Sequence, residues 1–95
     1  MASDARLSDE AIAAGLAGLE GWSREGDAIA KAYTFPAYMD GITFVNGAAE
    51  AAEAADHHPD MAVGYKRVTV TLSTHSSGGI SQKDLDLAAA LNGLA

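Results

Sequence analysis

Arg67-Val68-Thr69-Val70-Thr71-Leu72-Ser73-Thr74-His75 is the stretch on which the fold turns. Val68, Val70 and Leu72 alternate with Thr69, Thr71, Ser73 and His75, so a strand over 67–75 is apolar on one face and polar on the other. Such one-sided strands belong to antiparallel sheets with a single covered face. Upstream, Met61 to Tyr65 reads as the strand that pairs with it. Downstream, Ser76 to Gly79 is a loop. Ser81 then caps a last helix, with Asp84 completing a Ser-x-x-Asp capping box, Ile80 and Leu85 as a hydrophobic staple, and Leu87, Leu91 and Leu94 on the inner face.

The first half has the same organisation. Ser8 is placed as the N-cap of a helix with Asp9 and Glu10 in its first turn, Leu7 stapling to Ile12, and Ile12, Leu16 and Leu19 on one face. Gly21 fits the stop. Trp22 to Glu25 and Ala28 to Phe35 read as strands joined through Gly26-Asp27, with Ile29, Tyr33 and Phe35 on one face and Lys31 as the exception on it. Pro36 suits the first turn of a second helix, whose predicted apolar stripe is Tyr38, Met39, Ile42, Val45 and Ala49 and which runs to about Asp56. The Ala/Glu-rich run from Ala48 to Ala55 is explained by helix propensity. The order α-β-β-α-β-β-α predicts a two-layer α+β domain over residues 1–95, an antiparallel sheet with helices on one face.

Composition narrows the function. A chain of 95 residues is near the size at which one hydrophobic core is only just sufficient. Burial of a shared surface would add to that core, so a homo-oligomer is expected. With a net charge of −7 and only 6 Lys and Arg, the chain is poorly suited to binding a phosphate backbone, and no nucleic acid is expected as a direct ligand. Cys is absent, which excludes disulfides and thiolate metal sites. With no signal-peptide pattern and no apolar span, the expected compartment is the cytoplasm and no membrane partner is expected.

The chemistry-bearing residues gather around Asp56-His57-His58-Pro59-Asp60, at the exit of the second helix. Glu53 and His57 stand four apart on the predicted helix, so their side chains are expected to be neighbours, and the carboxylate would favour a charged imidazolium, as would the helix C-terminus. Pro59 forces a turn that could bring His58 to the same cleft from another side. Each residue also has a plain structural reading: His57 and His58 as a solvated helix end, His75 as an exposed strand end, Asp84 as a cap, and Thr69, Thr71 and Ser73 as strand formers. Three histidines with Glu53 are chemically able to hold zinc or iron, but the spacing does not select for a metal, and no His-Glu-x-x-His run or Cys partner is present. Ser73, Ser76 and Ser77 lie near His75 without a nucleophile elbow, and Gly78-Gly79 forms no phosphate-binding fingerprint. Metal-free proton transfer by imidazoles remains, and their range spans neutral pH.

Taken together, Glu53, His57-His58-Pro59, Tyr65, His75 and Asp84 occupy every slot of a pattern that resembles the signature of the pterin-4a-carbinolamine dehydratases. The similarity extends through Gly21-Trp22, Asp27-Ala28-Ile29 and Phe35. That family's fold has the order derived above. The resemblance implies a 4a-hydroxytetrahydrobiopterin dehydratase, a hydro-lyase that removes water to give quinonoid dihydropterin in tetrahydropterin recycling. It implies no metal or organic cofactor. Carried over, His57 and His75 are the acid/base candidates, His58 holds and polarises the pterin, and Glu53 orients or charges His57. Asp56, Ser73, Thr74 and Ser76 join the histidines in binding the substrate, and Asp84 supports the His75 loop. Many relatives carry tryptophan two residues after the proline, where Met61 stands here, which implies a softer wall of the pterin site and altered affinity. The resemblance further implies a homodimer or homotetramer and, as an alternative function, a non-enzymatic role as dimerisation or assembly cofactor for a partner protein.

Overall fold

The structure is a computed structural model and describes residues 5–95. Its elements are α1 (Asp9–Ala17), β1 (Ser23–Glu25), β2 (Ala28–Thr34), α2 (Tyr38–Ala55), β3 (Asp60–Gly64), β4 (Arg67–Leu72), a 3-10 turn (His75–Ser77) and α3 (Gln82–Asn92). The strands form one four-stranded sheet in the order β1-β2-β4-β3, with every pair antiparallel. This is the predicted α+β order.

The alternation in β4 sets the layers. Val68, Val70 and Leu72 are buried and stand opposite Tyr33, Lys31 and Ile29 of β2, while Met61 and Val63 of β3 oppose Val70 and Val68. Above this face Ile12, Phe44, Ala48, Leu87, Ala88 and Leu91 complete the core. Thr69 and Thr71 point the other way, beside Ala62 and Asp60. Gly26 at φ +64° makes the tight turn between β1 and β2, a conformation glycine adopts without steric cost.

The caps agree with the sequence. Ser8 Oγ accepts from the Ala11 amide, and Ser81 and Asp84 form a reciprocal capping box at α3. Leu7 packs against the core, and its amide donates to the Ile80 carbonyl at 2.9 Å.

Several boundaries differ from expectation. α1 stops at Ala17 with Gly18 as its cap, so Leu19 packs from beyond the helix and Gly21 serves a later turn at φ +81°. Pro36 lies outside α2, whose N-cap is Ala37, because the backbone there is still extended. The buried side of α2 is Gly41, Phe44, Ala48 and Ala52, leaving Tyr38 and Met39 of the predicted stripe exposed. β4 ends at Leu72, so His75 belongs to the 3-10 turn, and Leu94 lies past α3 and is exposed.

Lys31 is accommodated on the apolar face by turning its tip to the rim. Its Nζ donates to the Glu20 carbonyl at 2.8 Å and to Asn92 Oδ1 at 3.0 Å, and it lies 4.5 Å from the Tyr33 ring centroid. Asn92 Oδ1 also accepts from Trp22 Nε1 at 3.1 Å and Tyr33 Oη at 2.6 Å, tying the first hairpin to the end of α3.

Candidate active site

Three local features bring the histidines together. Asp56 ends α2 in the left-handed conformation, φ +49°, and its amide and that of His57 still bond the last turn, to Glu53 and Ala52. Aspartate tolerates this backbone better than most residues, and Pro59 then prevents a return to helix. Beyond β4, Thr74 and Gly79 exchange backbone hydrogen bonds of 2.8 and 3.3 Å, which pinches the intervening residues into a turn carrying His75. Gly78 closes that turn at φ +70°. Finally, the capping box starts α3 beneath both segments.

The result is a cavity of about 520 Å³ lined by Asp56, His57, His58, Ser73, Thr74, His75 and Ser76, all predicted from the sequence. Asp60, Thr71 and Lys83 line it too and were not foreseen. Thr71 and Asp60 share a register pair, so the β4 alternation that selected Ser73 would also have selected them. Lys83 carried no comparable signal, since its place depends on how the first turn of α3 packs. Glu53 and Asp84 do not line the cavity; they stand behind its histidines.

The carboxylate pairing differs from the local expectation. Glu53 hydrogen-bonds His58 Nε2, an exposed pair, rather than His57. The reason is the turn at Asp56: the helix has ended, and the four-residue neighbour rule no longer applies to His57. His57 Nε2 instead meets Asp84 Oδ1 at 2.6 Å. The Asp84 side chain is 0% exposed and that of His57 11%, so this pair is shielded from solvent. A buried carboxylate is costly unless its oxygens find donors. Here Oδ2 accepts from the Ser81 amide at 2.9 Å and from Thr74 Oγ1 at 2.8 Å. Asp84 is therefore both helix cap and histidine partner.

Two members of the sequence pattern lie elsewhere. Tyr65 is 75% exposed at the far end of the β3–β4 hairpin and stacks on Tyr38. Met61 opposes Val70 and packs against the core, on the sheet face away from Asp60 and Thr71. It is not a wall of this cavity. Among the described residues, no three His, Asp or Glu side chains are grouped to hold one metal ion, and no helix is long and apolar enough to cross a membrane.

Fold and site define a small α+β protein with an imidazole-rich cavity. A family model described as pterin 4 alpha carbinolamine dehydratase matches residues 5–94, and the chain belongs to that family. A Mycobacteroides abscessus relative, named by inference as a pterin-4-alpha-carbinolamine dehydratase, is 56% identical over 84 residues, covering 88% of this chain and 89% of its own. A Thermosynechococcus vestitus relative named in the same way is 48% identical over 90 residues, covering 95% of each. The crystal structure of a transcriptional coactivator/pterin dehydratase from Brucella melitensis superposes with a TM-score of 0.92 at 35% identity, covering 95% of this chain and 98% of that one. A pterin dehydratase-like protein identified as a RuBisCO assembly factor in the alpha-carboxysome shares the fold, with a TM-score of 0.69 at 24% identity over 80% of this chain and 90% of that one.

Proposed function

We propose that the protein is a cytoplasmic 4a-hydroxytetrahydrobiopterin dehydratase. The observation that carries this reading is the convergence of His57, His58 and His75 on one cavity. Loss of the 4a hydroxyl as water needs a proton delivered to that oxygen, and formation of the double bond needs a proton removed from N5. His57, with its buried carboxylate partner, is suited to stabilising an imidazolium and so to giving the first proton. His75 takes the second. His58, with Glu53 behind it, holds and polarises the ring, while Asp56, Ser73 and Ser76 contact its polar edge. Proton transfer alone balances this reaction, so the mechanism uses neither metal nor organic cofactor.

Stopped-flow absorbance of chemically generated 4a-hydroxytetrahydrobiopterin, with chelator present, tests the reading. Wild type should dehydrate it far faster than buffer, and His57→Ala and His75→Ala should each lose about 10²- to 10⁴-fold, the range of a positioned acid or base. A folded wild type no faster than buffer would falsify the assignment.

A second role as a protein-binding or assembly cofactor draws support from the exposed apolar side chains Tyr38, Met39, Val63 and Tyr65. The same groups would suit a homodimer or homotetramer. A partner that copurifies with wild type and equally with His57→Ala would favour this role.

A further inference from the structure

Thr74 lines the cavity, as expected, but it is 4% exposed and its hydroxyl is turned to Asp84, the partner of His57. Thr74 Oγ1 lies 2.8 Å from Asp84 Oδ2 and 2.6 Å from Ser81 Oγ, which in turn accepts from the Lys83 amide at 3.3 Å. A hydroxyl has one proton to donate, which fixes the direction of the chain. Asp84 takes the Thr74 proton, Thr74 takes that of Ser81, and Ser81 takes the Lys83 N–H. All these donors point toward Asp84, and none asks it for a proton.

We infer that Thr74 is a positioning residue for the proposed dehydration, acting through Asp84 to fix the tautomer of His57; the inference rests on the dehydratase reading for its kinetic consequence. With Oδ2 supplied by Thr74 Oγ1 and the Ser81 amide, Asp84 is held as an acceptor, and its other oxygen faces His57 Nε2. His57 therefore carries its proton on Nε2 when neutral, and Nδ1 is the nitrogen left for exchange with substrate. Removing the Thr74 hydroxyl leaves Oδ2 with one donor fewer and frees the carboxylate to turn away from His57, which weakens its hold on the Nε2 proton. The other charged or titratable groups around this cavity are Asp56, His58, Asp60, His75 and Lys83, and the substitution leaves all of them in place.

The test compares wild type with Thr74→Val, close in shape but without the hydroxyl, and Thr74→Ser, which restores it. Thr74→Val should lower kcat about tenfold with KM within about twofold, the scale of losing an outer hydrogen bond to an orienting group. The limb of its kcat profile that belongs to His57 should move to lower pH, because a carboxylate held less firmly stabilises the imidazolium less. Thr74→Ser should recover most of the rate and the wild-type profile. Nitrogen-15 NMR of the imidazoles reads the tautomer without turnover: wild-type His57 should be protonated on Nε2, and Thr74→Val should loosen that preference. Should the valine variant not fold, Thr74→Ala removes the same hydroxyl. A wild-type His57 protonated on Nδ1, or a hydroxyl-free variant with unchanged tautomer and pH profile, overturns the inference. A wild type that shows the Nε2 tautomer yet no dehydration would instead count against the dehydratase reading alone, leaving the NMR comparison to decide the role of Thr74.

Discussion

At Asp56 the backbone swings to φ +49°, and the two histidines that follow are sent to different carboxylates, one exposed and one buried. The energetic weights are unequal. Glu53 and His58 lie in solvent, where an ion pair contributes little, so Glu53→Gln should change stability by no more than about 0.5 kcal/mol and kcat by less than about threefold. Thermal unfolding and the stopped-flow assay check both. Asp84→Asn removes the carboxylate that faces His57, and the amide brings its own donor where only acceptors fit. Its kcat should fall at least about a hundredfold. The same change should cost about 1–3 kcal/mol in denaturant unfolding, because buried donors lose their acceptor. The His57–Asp84 pairing was not legible beforehand, since the residues are 27 apart in sequence and only the packing of α3 unites them. His57, His58 and His75 are the chain's three histidines, but each also has a plain structural reading, and the resemblance to the family pattern is what singles them out as a candidate site.

Among the elements, β4 and the two serine-capped helices could be read directly, since alternation and capping are local and each leaves its own mark. α2 could not be oriented in the same way. Its true inner face carries Gly41, Ala48 and Ala52, which weigh little in any hydrophobic pattern, while Tyr38 and Met39 drew the predicted stripe to the adjacent side. A Cβ added at Gly41 would make ordinary van der Waals contact with Phe35 Cδ2 at 3.4 Å and Val68 Cγ2 at 3.5 Å, so the inner face there packs on the sheet with room for a methyl group. A pair of substitutions separates the two orientations. Phe44→Ala should cost about 3–5 kcal/mol as a core truncation. Met39→Ala should stay within about 0.5 kcal/mol in the monomer. Equal costs in urea unfolding would show that the stripe read from the sequence is buried after all.

For the whole molecule, the network around Asn92 fastens the first hairpin to the last helix and fixes how the two halves sit. Tyr33 is part of it, and burial pushes its hydroxyl above the ordinary value of 10.0. The raised value means that the unfolded chain ionises first as pH rises. The contribution is therefore complete below about pH 10, the ordinary tyrosine value, and is lost as pH climbs through the raised one. Tyr33→Phe should unfold more easily at neutral pH yet show a weaker further loss in the alkaline range, which denaturant titrations at several pH values would reveal. The same decline in both proteins would mean that Tyr33 is not the group responsible. None of this network was foreseen, because Trp22, Lys31, Tyr33 and Asn92 have no common spacing and meet only when β2 and α3 close on one another.

The capping box at α3 also has a bearing on which sequences this protein can drift through. At most helix starts of this type glutamate is the usual third-position acid, and a cap can wander between acids at little cost. Here one carboxylate completes the cap and reaches a ring, and the shorter side chain suits both distances. Asp84→Glu should keep a helix start, at a cost of about 1–3 kcal/mol for the extra buried methylene, while displacing His57, so a variant that still folds would be the one to fail in turnover. Folding and the proposed turnover part company at that single methylene.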